Sequence, residues 1–83
     1  PPLSEDRRKE MVKIVKKEIE SGKVSIRNIR REVNDQVKKM EKKGDISEDQ
    51  SKEILKKIQD LTDSYIKDLD EISKVKETEI MKI

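Results

Sequence analysis

Apolar residues in the first half of the chain recur at three- and four-residue steps: Met11, Val15, Ile19, Ile26, Ile29, Val33, Val37 and Met40, with Gly22 in the same row. That period belongs to one face of an α-helix and not to the alternation of a strand. A second row, Ile54, Ile58, Leu61, Tyr65, Leu69 and Ile72, runs on less regularly through Val75, Ile80 and Ile83 at helical and heptad-like steps. Between the rows lies Lys42-Lys43-Gly44-Asp45. Cations suit the negative end of a helix, and a glycine suits a left-handed C-terminal cap. Ile46 can pack back over the turn, and Ser47-Glu48-Asp49-Gln50 has the Ser-x-x-Gln spacing of a capping box. Upstream, Pro1-Pro2-Leu3 reads as extended chain and Ser4 as an N-cap. Glu5 and Asp6 then stand where negative charge suits the helix dipole.

These signals predict an all-α chain: a helix over about residues 4–43, a turn at 44–46 and a helix over about 47–83. So short a connection makes the two helices antiparallel. Each would be on the order of 50 to 60 Å long at 1.5 Å rise per residue, and rods of that length live in bundles. A hairpin gives each helix a single neighbour, yet Val12, Ile14, Leu55 and Ile66 widen the apolar faces beyond one seam. A third helix or a second copy must cover them, so the isolated chain is expected to self-associate. Gly22 either permits close helix approach or is a tolerated local weakness, and the second reading is preferred.

Composition narrows the chemistry. At 83 residues the chain is at most one small domain, 48% of it is charged, and Tyr65 is its one aromatic residue. Neither Cys nor His is present, which removes disulfides, thiolate metal sites, Cys nucleophiles and Ser-His pairs. No apolar run exceeds two residues, so neither a membrane span nor a signal-peptide core is expected and a cytoplasmic setting is the default. The opening Pro1-Pro2, without an initiator Met, reads as a piece of something longer. Carboxylates such as Asp60 and Asp63, or Asp68, Asp70 and Glu71, read as a solvated helix face, and no calcium loop, phosphate cradle or zinc spacing accompanies them. No catalysis, cofactor or metal is expected.

Charge is divided unevenly. Residues 1–43 carry 14 Lys and Arg against 8 Asp and Glu, a balance of +6, whereas residues 44–83 carry 7 against 11, a balance of −4. A polyanionic partner should therefore meet the first half. The longest basic run free of acids is Lys23 to Arg31. At 100° per residue Lys23, Arg27, Arg30 and Asn34 fall in a stripe about 60° wide, centred about 90° from the apolar row and so expected to face outwards. Arg31 flanks it. Arginine forks on a rigid helix suit phosphate oxygens, and the lack of stacking aromatics argues against reading single-stranded bases. The competing account is that these are ordinary solubilising charges of a coiled coil or scaffold segment, and composition alone favours it.

Four stretches tip the balance. Pro-Pro-Leu-Ser-Glu-Asp-Arg-Arg-Lys-Glu at 1–10, Val-Ser-Ile-Arg-Asn-Ile-Arg-Arg-Glu-Val-Asn-Asp at 24–35, Ile-Ser-Glu-Asp at 46–49 and Gln-Asp-Leu-Thr-Asp-Ser-Tyr-Ile at 59–66 resemble ribosome recycling factor, in unbroken order along the chain. The resemblance implies the second and third helices of a three-helix bundle, with Pro1 and Pro2 at the end of a hinge. The family's first helix and its inserted α/β domain are missing from the match. It also implies a non-enzymatic role: the family binds the post-termination ribosome through large-subunit ribosomal RNA and, with elongation factor G, separates the subunits. The positions matching the family's basic residues are Arg8, Arg27, Arg30 and Arg31, with Lys23 where many members have Arg. Arg30 is the first choice for an RNA contact. Gly22 departs from the small helix former usual there. Without the inserted domain, the chain alone is not expected to recycle ribosomes.

Overall fold

A computed structural model describes residues 3–82; Pro1 and Pro2, the expected hinge, and Ile83, the expected end of the second apolar row, lie outside the described residues. Two helices, α1 (Glu5–Lys43) and α2 (Glu48–Lys82), form an antiparallel hairpin of 64 × 15 × 11 Å, with no strand among the described residues.

The helix ends follow from local chemistry. Ser4 accepts a hydrogen bond from the Arg7 amide at 3.1 Å, with Glu5 and Asp6 in the first turn. At the other end Gly44 adopts φ 80°, and the Gly44 and Asp45 amides donate back to the carbonyls of Glu41 and Met40, each at 3.0 Å. Those bonds satisfy carbonyls that the helix leaves open, and the left-handed backbone that makes them possible favours a residue without Cβ. The capping box then starts α2 reciprocally: Gln50 N donates to Ser47 Oγ at 3.0 Å and Ser47 N to Gln50 Oε1 at 2.9 Å.

The seam between the helices is narrow. On α1 it is centred on Val37, which is buried, with half-buried Val15, Ile19, Gly22, Ile26 and Val33 along the same row. On α2 the buried positions are Ser51, Thr62 and Ile80, with Leu55, Ile66, Leu69 and Ser73 half-buried between them. Thr62 satisfies its hydroxyl by donating to the Ile58 carbonyl at 2.7 Å. The expected second row is therefore only partly the seam. Leu61, Tyr65, Ile72 and Val75 are about half exposed, because they lie beside the line of contact and not on it. With Ile29 and Met40 of α1 they leave one side of the hairpin apolar and open. That side includes a groove of about 320 Å³ lined by Ile26, Ile29, Val33, Ile58, Leu61 and Tyr65.

The two glycines differ in kind. A Cβ at Gly22 would meet Leu69 Cδ1 at 3.4 Å, ordinary contact, so Gly22 is not required for the helices to approach. Gly44 has open space around it but a backbone that L side chains rarely adopt. Opposite outcomes are expected in urea melts at fixed chain concentration. Gly22→Ala should stabilise by about 1 kcal/mol through helix propensity. Gly44→Ala should destabilise by about 1 kcal/mol through left-handed strain. Shifts of the same sign at both sites would contradict this assignment.

Candidate nucleic-acid interface

The basic stripe does not face outwards as the helical angles alone predict. Lys23, Arg27, Arg30 and Asn34 are all half-buried, because α2 packs against the edge of α1 nearest to them. The Lys23 side chain is only 16% exposed, and its ammonium is paired with the Asp70 carboxylate of α2. Arg30 Nη1 donates to Gln59 Oε1 at 3.0 Å, and Gln59 Nε2 in turn donates to Asp63 Oδ1 at 2.9 Å. Lys16 Nζ lies 3.4 Å from Glu77 Oε1 on the same flank.

These contacts form a ladder. The residue numbers of Lys16 and Glu77, and of Lys23 and Asp70, both sum to 93, and so do those of Arg30 and Asp63, which are joined through Gln59. Rungs seven residues apart on each helix are where an antiparallel coiled coil brings flanking charges together. Gln59, Asp63, Asp70 and Glu77 do not stand out in the sequence, where they look like any solvated helix face. The turn gives only an approximate signal: the connection over residues 44–47 is centred between Asp45 and Ile46 and by itself pairs residues whose numbers sum to 91, two short of the ladder.

The structure brings Lys23, Arg27, Arg30 and Arg31 together on two turns of α1. Arg27 Nη1 stands 3.8 Å from Glu20 Oε1, a loose pair, and Arg31 is exposed, donating from Nη1 to Asn28 Oδ1 at 2.9 Å. Arg30 borders the apolar groove, and its guanidinium carries donors beyond the one that Gln59 receives. Arg8 is half-buried near the start of α1, about 30 Å along the helix from Arg27 at 1.5 Å per residue, and does not join this group. No described helix is long and apolar enough to cross a membrane.

An all-α hairpin with one basic edge and one open apolar side has the form of part of a helical bundle. The comparisons with known proteins are specific. The profile of the ribosome recycling factor family matches residues 1–81. The ribosome-recycling factors of Bacillus licheniformis and Bacillus subtilis are 52% and 51% identical to the chain over all 83 residues, and that of Prochlorococcus marinus is 55% identical. The chain belongs to the ribosome recycling factor family, and it spans 45 to 46% of the length of these relatives.

The ladder should set register more than it adds stability, since exposed and half-exposed ion pairs contribute roughly 0 to 1 kcal/mol. A double-mutant cycle with Lys23→Met and Asp70→Asn, read by urea melts, should give a coupling of up to about 1 kcal/mol that shrinks as salt is raised. A coupling indistinguishable from zero at low salt would show that the two side chains do not meet in solution.

Proposed function

We propose that the chain is the RNA-contacting helical hairpin of a ribosome recycling factor acting in the cytoplasm. In the full-length protein it would bind large-subunit ribosomal RNA on the post-termination ribosome and, with elongation factor G, help to separate the subunits. The observation that carries this reading is the convergence of Arg27, Arg30, Arg31 and Lys23 on two turns of one rigid helix, in a chain that matches the family over residues 1–81. Guanidinium forks held at fixed spacing match phosphate oxygens, and the Gln59–Asp63 relay holds the Arg30 fork in one orientation without a carboxylate on it. The site demands no chemistry of its own: it grips.

A second reading, a scaffold hairpin with no RNA role, draws on the engagement of Lys23 with Asp70 and of Arg30 with Gln59. Salt separates the two, because neutralising several phosphates makes affinity fall steeply with ionic strength whereas an apolar helix contact changes little. The decisive experiment grafts these residues into the matching segment of the full-length Bacillus subtilis relative and measures co-sedimentation with ribosomes at two salt concentrations. Arg30→Ala should weaken binding by roughly tenfold or more, in line with the ~1.5 to 3 kcal/mol of a charge-assisted hydrogen bond. Binding unchanged by the substitution would remove Arg30 from this role.

The open apolar side bears on the isolated chain. Within a full-length relative the groove would take the first bundle helix that the family resemblance implies; alone, the chain would cover it with a second copy. Light scattering of the isolated chain should give a mass that rises above the monomer with concentration. A constant monomer mass together with a sharp cooperative melt would overturn the self-association.

A further inference from the structure

The two helices distribute their cations differently. On α2 three of the seven lysines are paired within the helix: Lys52 with Glu48 at 3.5 Å, Lys57 with Glu53 at 3.3 Å and Lys76 with Glu79 at 3.5 Å. The first two place the acid four residues before the lysine, the favourable order on a helix. On α1 the four-residue spacing repeatedly joins like charges, Lys9 with Lys13, Lys13 with Lys17, Arg27 with Arg31 and Lys38 with Lys42, where α2 has Lys52 with Lys56. Like charges one turn apart destabilise a helix. All of these except the half-buried Arg27 are exposed, and Lys9, Lys13, Lys17, Lys38 and Lys42 take part in no ion pair among the described residues.

We propose that the outer face of α1 is a linear phosphate track for double-helical RNA, extending from Arg27 and Arg31 to Lys9, Lys13 and Lys17 on one side and Lys38 and Lys42 on the other. The proposal rests on the reading of the chain as an RNA-binding hairpin and says which surface does the binding. At 100° and 1.5 Å per residue these lysines, with Arg27 and Arg31, occupy one sector about 80° wide and about 50 Å long, turned away from α2. Glu20 and Asp35 are the acids that fall within it between Lys9 and Lys42, and Glu20 lies 3.8 Å from Arg27. A straight rod carrying cations at one-turn intervals meets successive phosphates of a rigid duplex. A single strand would want stacking platforms, and the one aromatic residue, Tyr65, lines the apolar groove instead.

The test uses the chain itself and a 20-base-pair RNA duplex of arbitrary sequence, with affinity measured by fluorescence anisotropy across a salt series. Two charge-matched variants are compared with the parent chain: Lys9→Gln with Lys13→Gln on the track, and Lys52→Gln with Lys57→Gln on α2. The track variant should lower the slope of log affinity against log salt by about 2, close to one unit for each phosphate that is no longer neutralised, while the α2 variant leaves it nearly unchanged. Helix content and melting temperature by circular dichroism should not fall in the track variant, since a repulsion has been relieved. Equal slopes in the two variants, or an unchanged slope on the track, would overturn the proposal. So would failure of the folded chain to bind the duplex while the full-length graft still binds ribosomes through Arg30; that pattern leaves the functional reading standing. Loss of ribosome binding by the unsubstituted graft would instead strike the functional reading.

Discussion

The turn between Lys43 and Glu48 governs the rest of the molecule. Gly44 at φ 80° helps return two amides to the carbonyls of Glu41 and Met40, and the Ser47–Gln50 capping box starts the next helix at once, so the chain reverses with no slack. Reversal over so few residues leaves one register. That register sets Lys16 against Glu77, Lys23 against Asp70, and Arg30 against the Gln59–Asp63 relay. A shift of one residue on either helix would rotate every rung by about 100° and break the pairing. The ladder is thus a consequence of the turn and also a check on it: wrong registers leave Lys23, at 16% exposure, without its carboxylate.

With only one neighbour, each helix can bury only a narrow line of side chains. Val37 and Ile80 are the hydrophobic residues that become buried among the described ones, and small polar Ser51 and Thr62 accompany them. Small residues let the backbones come close, and Thr62 avoids a desolvation penalty because its hydroxyl bonds the Ile58 carbonyl. The large apolar side chains are displaced to the flank, where Ile29, Leu61 and Tyr65 line an open groove. A narrow seam and a broad open groove are two sides of one packing choice.

Legibility from the sequence follows the range of the physics involved. Caps, turn and helix type are readable because each depends on residues within four positions of one another: Ser4 on Arg7, Gly44 on Glu41, Ser47 on Gln50. The all-α hairpin follows from them. Hydrophobic periodicity points the α2 seam wrongly toward Leu61, Tyr65, Ile72 and Val75, since it cannot register Ser51 or Thr62 as core. Within the candidate site the cations are legible and their setting is not. Whether Lys23 points to water or to Asp70 depends on which side of α1 the partner helix occupies, information that resides in the register between residues far apart in sequence.

Register also explains how a chain of net charge +2 can present a strongly cationic surface. The ladder draws the acids Asp63, Asp70 and Glu77 to one flank of the seam, where they meet Lys16, Lys23 and Arg30. The acids at the start of α2, Glu48 and Glu53, are occupied by lysines of their own helix. The outer side of α1 keeps Lys9, Lys13, Lys17, Lys38 and Lys42, which take part in no ion pair among the described residues. The hairpin is about two helices across, 15 Å in its intermediate dimension, while charges in water at physiological salt are screened over about 8 Å. Carboxylates on the far side of α2 therefore contribute little to the potential above Lys9, Lys13 or Lys38, and a phosphate approaching that face meets cations nearly undiluted by the acidic second half. Net charge is a poor guide to such a molecule, because the field above each face is set by the charges within a screening length of it.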